Sequence, residues 1–460
     1  MRAQRSWLPD LIYADGKFHT GRPLGCDDAG NIASGSPKIS QSSQLKNRAI
    51  FPGLVNAHSH AFQRVIRGRT EYRTSENKAS FWTWREMMYS AAERLAPEDV
   101  YDASRMAFLE MALSGITSVG EFHYLHHGAD GRPYDDPNRL AKEVVRAAGD
   151  VGLRIALLRV AYARSGFETE SNPRQKRFIE ANAETYLKNL GQLIADLGAS
   201  RTAWAGAAPH SVRAVPLDYL RAVVEFGKNK KLRIHMHVAE QPAEVAACIA
   251  EYGRSPVALL ATEGLLNERF TAVHAIHVSP KAVRMMADAQ AMVCACPTTE
   301  RNLGDGIVPV DQYFQNEVRV ALGTDSHVQI DLLEDARALE YNLRLQSMER
   351  AVLSREDDGR SALAARLFEC ATVRGAESIG SPGGDLKEGG VADFFTVDLD
   401  DPSIAGATAD DLLTSVVFSL SRTAVKDVFV GGEQIVAEGK HNKQEEIVEK
   451  FKKLQKKLWG

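Results

Sequence analysis

Residues 51–60 read FPGLVNAHSH, a short apolar run that ends in two histidines one residue apart. Short runs rich in Val, Leu and Ala are typical of strands buried on both faces of a parallel sheet. Residues i and i+2 of a strand point to the same side, so the imidazoles of His58 and His60 can share one metal ion. Because such pairs also occur by chance on surfaces, this interpretation requires further ligands elsewhere in the chain.

Seven more apolar runs follow the first, and helical patterns lie between them. The eight predicted strands are 51–57, 116–121, 153–160, 203–208, 232–238, 271–276, 291–296 and 319–324. The predicted helices include 97–114, 139–150, 174–196, 216–228, 242–262 and 280–289. Eight strands alternating with helices predict an α/β fold, a (β/α)8 TIM barrel. A doubly wound open sheet should carry a Gly-rich phosphate loop after an early strand, and the sequence has none.

Polar residues that could do chemistry stand at or just past the ends of these predicted strands. They are His58, Glu121, His210, Glu240, His274 and Asp325. A barrel builds its active site at the carboxyl ends of its strands, whereas a chance distribution would place some of these residues on helices or at strand starts. The sequence therefore predicts a site at one rim of the barrel.

The two ends of the chain differ from the middle, because short strand-like pieces alternate with turn residues there. These pieces are LIYADGKF and GNIASGSP near the start, and ADFFTVDL, SVVFSL, DVFVGGEQIV and AEGK near the end. The Gly431-Gly432 pair inside one of them is a hairpin signal. We therefore expect a small β-sandwich domain formed jointly by residues 1–50 and 385–442, next to a barrel that spans residues 51–384.

The tail, residues 443–460, is expected to form a helix. Its apolar residues recur at helical spacing and lysines occupy the other face. The apolar residues are Ile447, Phe451, Leu454 and Leu458. A helix that docks on the protein explains this pattern better than a helix that lies on a membrane surface.

Composition excludes several classes of protein. The chain has 460 residues with 56 Lys+Arg and 60 Asp+Glu, a formal net charge of −4, and 44% of its residues are hydrophobic. These values are ordinary for a soluble globular protein and exclude a disordered, collagen-like or strongly basic chain. The near-neutral charge gives no electrostatic reason to expect nucleic acid as a partner.

Cysteine content and hydropathy indicate a reducing compartment. The five cysteines are sparse and odd in number, unlike a secreted disulfide framework. The N-terminal stretch has no apolar core of signal-peptide type, and no run approaches the ~18 apolar residues of a membrane span. We therefore expect a cytoplasmic protein that does not enter the membrane. Cys294 and Cys296 could bind a metal, but two small residues on one face of a buried strand are the better interpretation.

Later strand ends supply further candidate metal ligands. His235 and His237 lie in the fifth predicted strand, His274 ends the sixth, and Asp325 follows the eighth. Imidazole nitrogens and a carboxylate around an open position suit a catalytic divalent ion, zinc before iron or manganese. Spacing alone does not decide between His235 and His237. Glu240, beyond the fifth strand, could move protons above the metal or simply cap the following helix.

Four motifs occur in order along the chain: PGLVNAHSH, HMHVAE, VHAIH and GTDSH. Together they resemble the amidohydrolase superfamily and, within it, the single-metal aminohydrolases. Six segments are similar to the formimidoylglutamate deiminases in particular: HSHAFQR at 58–64, SFWTWREMMY at 80–89, EFHYLHH at 121–127, PHSVRAV at 209–215, HVAEQ at 237–241 and TTERNLGDG at 298–306. The most specific pieces are FWTWRE and FHYLHH. The resemblance covers the barrel and both ends of the chain.

This resemblance implies which residues hold a metal and which do the chemistry. The implied ligands of one divalent ion, Zn²⁺ or else Fe²⁺, are His58, His60, His237 and Asp325. The implied catalytic residues are Asp325 as the base toward water, Glu240 as the acid toward the leaving nitrogen, and His274 as the residue that steadies the intermediate. The implied substrate-binding residues are Gln63, Arg85, Tyr124, His210 and Arg213.

The implied reaction is the metal-dependent hydrolysis of N-formimino-L-glutamate to N-formyl-L-glutamate and ammonia, a step of histidine degradation. The implied assembly is a homodimer whose only other partner is a small molecule with carboxylates. Arg85 and Arg213 suit the two carboxylates of this substrate, because guanidinium offers a planar, two-pronged donor face.

Two other functions remain open at this stage. A related aminohydrolase could keep the metal site and act on a purine base or another amidine, although a neutral purine would not require two arginines. A barrel without activity could serve as a scaffold, although all the implied ligands and proton-transfer residues are present. Two details also remain open. Arg301 could face the pocket or pack at the rim, and Trp82 and Trp84 are expected to be packing residues.

Overall fold

A computed structural model describes residues 5–33, 42–73, 81–167, 169, 172–355 and 359–460 of the chain. The end of the GNIASGSP piece and the first residue of SFWTWREMMY lie outside these residues. The chain starts with four strands that do not belong to the barrel. They are β1 (Arg5–Ala14), β2 (Lys17–Thr20), β3 (Leu24–Cys26) and β4 (Ser43–Pro52).

The middle of the chain forms a barrel of eight parallel strands that follow one another in chain order. They are β5 (Leu54–Ser59), β6 (Ile116–His123), β7 (Arg154–Ala161), β8 (Ala203–Pro209), β9 (Ile234–Val238), β10 (Phe270–His274), β11 (Met292–Ala295) and β12 (Val320–Leu322). Nearly every residue of these strands is buried, as expected for a sheet that is covered on both faces. All eight predicted strands are confirmed.

The barrel closes between its first and last strands, β5 and β12, through a single bridge between Ser59 and Asp325. The backbone N–H of His60 donates to the carbonyl of Asp325, and the N–H of Asp325 donates to the carbonyl of His58, both at 3.0 Å. The strands come this close because residue 323 is glycine. A Cβ on Gly323 would lie 2.7 Å from the Cβ of His58 and 2.9 Å from its carbonyl oxygen. This closure excludes a doubly wound sheet.

The C-terminal strands complete a second, mixed sheet together with β1–β4. They are β13 (Phe394–Asp398), β14 (Val425–Val430), β15 (Glu433–Ala437) and β16 (Lys440–His441). The predicted hairpin is confirmed, since Gly431 and Gly432 join β14 to β15 with φ of +58° and +74°. The structure thus has the expected small β-domain built from both ends of the chain. The domain limits named above stay a prediction.

Fifteen α-helices connect and cover the strands of the described residues. They are α1 (Phe81–Arg94), α2 (Pro97–Leu113), α3 (Arg139–Val151), α4 (Ala183–Leu197), α5 (Leu217–Asn229), α6 (Pro242–Tyr252), α7 (Pro256–Thr262), α8 (Pro280–Asp288), α9 (Pro297–Leu303), α10 (Val310–Gln315), α11 (Leu332–Ser347), α12 (Ala362–Cys370), α13 (Val373–Ile379), α14 (Leu412–Ser419) and α15 (Gln444–Trp459). In α15 the predicted apolar face is buried, and the indole N–H of Trp459 donates to the carbonyl of Val65 at 3.2 Å. The docking helix is therefore confirmed.

Three predictions on local structure are wrong. The helix expected at 174–196 begins only at α4, because the side chain of Asn182 caps it by accepting the N–H of Thr185. The helix expected at 242–262 is split into α6 and α7, because Gly253 adopts a left-handed φ of +67°. The SVVFSL piece lies mostly in α14, where the buried apolar residues follow helical spacing.

The described part of the chain has no helix that is long and apolar enough to cross a membrane. All five cysteines are buried and unpaired.

Candidate active site

Four predicted metal ligands meet at the carboxyl rim of the barrel. His58 and His60 come from the end of β5, His237 from β9, and Asp325 from the segment after β12. One ligand atom from each of them lies within 4.8 Å of all the others, and all four residues are buried. The Nε2 atom of His58 lies 3.2 Å from the Nε2 atoms of both His60 and His237, and the Nε2 of His60 lies 3.2 Å from Oδ1 of Asp325.

The other ring nitrogens show which atoms carry the hydrogens. Nδ1 of His60 lies 2.9 Å from the carbonyl oxygen of Phe122, and Nδ1 of His237 lies 3.1 Å from that of His210. A carbonyl oxygen only accepts, so each Nδ1 carries a hydrogen, and the tautomer with this hydrogen turns the lone pair of Nε2 to the cluster. Lone pairs that converge beside the carboxylate of Asp325 leave a place suited to a cation. The donor set therefore fits a divalent metal ion.

Asp325, in the cluster, and Glu240, which lines the same cavity, have pKa values displaced in opposite directions. Burial acts to raise the pKa of Asp325, but its contacts with His58 and His60 outweigh burial and hold the pKa well below its ordinary value. Burial raises the pKa of Glu240 above its ordinary value. Opposite displacements of this kind separate a base from an acid in an active site.

His274, at the end of β10, lies between carboxylates. Its Nδ1 is 3.1 Å from Oε1 of Glu300, and its Nε2 is 3.6 Å from Oε1 of Glu240 and 3.9 Å from Oδ2 of Asp325. Its backbone adopts a left-handed φ of +69°, a conformation that is strained for a residue with a side chain. The surrounding fold must hold this conformation, which turns the ring toward the pocket.

The remaining predicted residues surround the same cavity. Every predicted site residue except His58 lines it, and the imidazole of His58 lies beneath. Those that line it beyond the predicted metal ligands and the predicted proton-transfer residues are Gln63, Arg85, Tyr124, His210 and Arg213. Burial, followed by the charges of Arg213 and Arg85, lowers the pKa of His210 well below its ordinary value, so this ring is neutral.

Both arginines of the cavity lack an acidic partner. Nη2 of Arg85 donates to the hydroxyl of Tyr162 at 3.4 Å, and Nη1 of Arg213 donates to the carbonyl of Ser165 at 3.4 Å. Among the residues that the structure describes, neither guanidinium forms an ion pair with a carboxylate. Both residues are partly buried. A partly buried cation without a counter-charge is unfavourable, so these two groups are suited to receive an anionic ligand.

Some residues of the site were missed from the sequence. Glu300, in the first turn of α9, also lies at the carboxyl rim, and the strand-end rule that identified the other residues could have identified it. Tyr89 and Tyr162 line the cavity, and the side-chain amide of Gln175 reaches both of their hydroxyls. No sequence signal marks this contact, because it joins three separate segments.

Three open questions from the sequence are answered by the structure. Arg301 packs at the rim, where its guanidinium is exposed and lies 3.2 Å from Glu334. Trp84 packs against the core, as expected, and it also lines the cavity. Trp82 is 46% exposed, and its ring packs against the ring of Phe81 and the guanidinium of Arg85. His235 turns away from the metal ligands, since its Nε2 lies 3.0 Å from the carbonyl of Ser378.

A second group of possible ligands fits a metal less well. His274, Cys296 and Glu300 also bring ligand atoms within 4.8 Å of one another. Burial, followed by the neighbouring Cys294, raises the pKa of the Cys296 thiol well above its ordinary value. Since a thiol and an imidazole must lose their protons to bind a metal, this group is better described as a hydrogen-bonded support for His274.

Comparisons with known proteins agree with this geometry. A sequence model of the Amidohydrolase family matches residues 49–435. The chain is 38% identical over 458 residues to formimidoylglutamate deiminase from Pseudomonas aeruginosa, covering 98% of this chain and 97% of the relative. It is 29% identical over 408 residues to 5-methylthioadenosine/S-adenosylhomocysteine deaminase from Pyrococcus abyssi, covering 87% and 86% of the two chains.

Solved structures give the same result. An amidohydrolase from Brucella melitensis superposes with a TM-score of 0.91 at 33% identity, covering 99% of this chain and 100% of the other. An adenosine deaminase from Xanthomonas campestris with bound zinc shares the fold, with a TM-score of 0.82 at 20% identity over 99% of each chain. From the family match, the full-length relatives and the architecture together, this chain belongs to the amidohydrolase family.

Proposed function

We propose that the protein hydrolyses N-formimino-L-glutamate to N-formyl-L-glutamate and ammonia. The relative that shares 38% identity over nearly the whole chain is a formimidoylglutamate deiminase. The observation that carries the proposal is the pair Arg85 and Arg213, which lack acidic partners among the described residues and face the same cavity as the metal cluster. A substrate with two carboxylates and a hydrolysable C=N bond fits both parts of this cavity. The carboxylates would bind the arginines, and the C=N bond would lie at the metal cluster.

We propose a single zinc ion at His58, His60, His237 and Asp325. A set rich in imidazole suits zinc, with iron(II) as the next choice. When bound, such an ion supplies a Lewis acid that lowers the pKa of water, so that hydroxide is available near neutral pH.

Asp325 is proposed as the base. Its Oδ1 faces His60 at 3.2 Å and His58 at 3.5 Å, whereas its Oδ2 faces His274 across 3.9 Å. One oxygen is therefore committed to the ligand cluster, and the other is free to take the proton of the attacking water. The low pKa of Asp325 keeps this oxygen unprotonated between turnovers.

Glu240 is proposed as the acid. It lines the cavity, and burial raises its pKa, so its carboxyl group holds a proton more readily than an exposed glutamate. It gives this proton to the imino nitrogen while the C–O bond forms. The proton that Asp325 took from the water then passes to the same nitrogen, and the C–N bond breaks to release ammonia. The remaining hydroxyl proton returns to Glu240 as the C=O bond of the product forms.

Gln63 and Tyr124 are proposed to orient the substrate beside the metal. Nε2 of Gln63 donates to the hydroxyl of Tyr124 at 2.7 Å, which fixes the amide. Its Oε1 is buried and has no partner among the described residues, so it can accept an N–H of the formimino group. The neutral ring of His210, whose centroid lies 6.0 Å from that of the Tyr124 ring, adds a further hydrogen bond.

Ammonia release with purified protein tests this function. N-formimino-L-glutamate should be turned over much faster than N-formiminoglycine, because the shorter substrate offers only one carboxylate to the two arginines. Equal rates would contradict the assignment of both arginines. Faster turnover of adenosine, S-adenosylhomocysteine or guanine would favour the alternative function, an aminohydrolase of purine compounds.

The homodimer and the cytoplasmic location are also proposed for this protein. The near-neutral net charge of −4 supports the absence of nucleic acid among its partners. Size-exclusion chromatography with light scattering tests the dimer, since a mass near twice 50.5 kDa is expected.

A further inference from the structure

A chain of buried hydrogen bonds runs beneath the metal ligands and joins β5 to the segment after β12. It begins at a backbone N–H, which can only donate a hydrogen bond. The N–H of Thr324 donates to Oδ1 of Asn56 at 3.0 Å, and this fixes the orientation of the amide. Nδ2 of Asn56 therefore donates to Oγ1 of Thr324 at 2.7 Å.

The remaining hydrogens follow one after another. The hydroxyl of Ser59 gives its one hydrogen to Glu121, so it accepts from Nε2 of His327. In this tautomer Nδ1 of His327 accepts from the hydroxyl of Thr324 at 3.1 Å. The ring of His327 then carries its hydrogen on Nε2 and donates to Oγ of Ser59 at 3.0 Å. Ser59 donates in turn to Oε2 of Glu121 at 2.5 Å. Each donor meets one acceptor, so the chain is complete without a water molecule.

This chain of hydrogen bonds crosses the seam of the barrel, the place where β5 meets the end of β12, at the metal site. Ser59 stands between the proposed ligands His58 and His60, and Thr324 directly precedes Asp325. Backbone pairing between β5 and β12 is reduced here to the single bridge described above. His327 is fully buried and has a left-handed φ of +61°, so its ring is held in place although its backbone conformation is unfavourable.

We propose that His327 is a positioning residue that sets the distance between the ligands on β5 and Asp325, and through it the affinity for the metal. Its ring joins the two sides of the seam through Ser59 and Thr324. This inference rests on the metal centre of the proposed function and is independent of the substrate.

The affinity of the metal-free protein for Zn²⁺ tests the proposal, measured by competition with a chromophoric chelator at fixed pH. Residues that orient metal ligands typically contribute about 10–100-fold in affinity. His327→Leu and Ser59→Ala should each weaken zinc binding by about this factor. The double variant should lose little more than either single variant, because both changes interrupt the same chain.

His126→Leu is the matched control. His126 is also a buried neutral histidine, but its Nε2 lies 2.8 Å from the carbonyl of Val160, and it does not contact a metal ligand. This variant should lower the melting temperature and leave the zinc affinity unchanged. His327→Gln, which keeps an N–H donor in place of Nε2, should regain part of the affinity that His327→Leu loses.

Wild-type zinc affinity in the folded His327→Leu variant would overturn the proposal. An equal loss of affinity in His126→Leu would also overturn it, because the effect would then be one of general stability. If His327→Leu does not fold, the zinc affinity of Ser59→Ala, which removes a single oxygen, is measured instead. Wild-type affinity in that variant would also overturn the proposal. A protein that shows these zinc affinities but does not release ammonia from N-formimino-L-glutamate would contradict the proposed function alone.

Discussion

The imidazole of His274 is held by Glu300, with 3.1 Å between Nδ1 and Oε1, on the side of the ring that faces away from Glu240. Burial opposes a charge on this ring. The negative charges of Glu240, Glu300 and Asp325 nevertheless outweigh burial and raise the pKa of His274 well above its ordinary value. The ring therefore holds its proton more firmly than a free imidazole, and its N–H is a donor that can stabilise negative charge on an attacking oxygen.

Replacing Glu300 with glutamine should move the pH dependence of kcat. Without the negative charge of Glu300, the pKa of His274 falls. The ring then loses its proton at lower pH, so the alkaline limb of the pH profile of kcat moves to lower pH. A lost hydrogen bond between charged groups is worth about 1.5–3 kcal/mol, which corresponds to a shift of about one to two pH units. An alkaline limb that does not move in Glu300→Gln would contradict this role.

Asp325→Asn should lose at least about 100-fold in ammonia release, the lower range for removing a general base. An amide does not take the proton from water, and it is a weaker metal ligand than a carboxylate. The fold should survive, because the seam uses the backbone of Asp325 and not its side chain. Near-normal turnover in a variant with an unchanged circular dichroism spectrum would contradict the assignment of the base.

Replacing either arginine of the cavity should weaken the binding of the substrate. Arg85→Met or Arg213→Met should lower kcat/KM by about 10–100-fold, since each removes a charged hydrogen bond to a carboxylate. Arg301→Met is the control, because Arg301 pairs with Glu334 at the exposed rim and should have no effect. A loss in the Arg301 variant as large as in the other two would contradict the assignment of the pocket.

Removing the metal should lower the melting temperature. Converging lone pairs at the four ligands favour a bound cation, and binding to the folded state alone stabilises it by about 2.7 kcal/mol at a free concentration of 100 times Kd. Treatment with a chelator should lower the transition measured by calorimetry, and Zn²⁺ should restore it. Mg²⁺ should not, because it prefers oxygen ligands. An unchanged transition after complete chelation would contradict a metal centre at these residues.

Gly323→Ala should open the seam of the barrel. The new Cβ would meet the Cβ and the backbone of His58, which have no room to move, so we expect a loss of about 1–3 kcal/mol in unfolding free energy. Gly149→Ala is the control. Its Cβ would meet nothing within 4 Å on the surface of α3, so it should raise stability by about 0.5–1 kcal/mol. Denaturant unfolding measures both, and equal effects would contradict a special role for Gly323.

The barrel could be predicted because its signals are local. Each strand is a short apolar run such as FPGLVNA, and helix starts carry prolines such as Pro242 and Pro280, which the structure places at the first positions of α6 and α8. The arrangement of the proposed metal ligands could also be predicted from the sequence. Strand order fixes which residues meet at the rim, and alternation along β5 places His58 and His60 on one side.

What the sequence left open depends on contacts between distant segments. Spacing alone left His235 and His237 equivalent, and only the packing of β9 shows that His235 reaches the carbonyl of Ser378 instead of the metal ligands. SVVFSL favours a strand by composition, but packing against α11 and α12 makes it helical. Tertiary burial outweighs local propensity in such short segments.

The seam between β5 and β12 has a consequence for how the protein is made. Asn56 and Thr324, which meet there, are 268 residues apart in the chain, and ribosomes add about 5–20 residues per second. His58 and His60 are therefore synthesised roughly 13–54 s before Asp325. During that interval the nascent chain holds two exposed histidines and an incomplete barrel. The four proposed ligands come together only after the last strand has docked, so a metal ion at this site would be bound at the end of folding and not at its beginning.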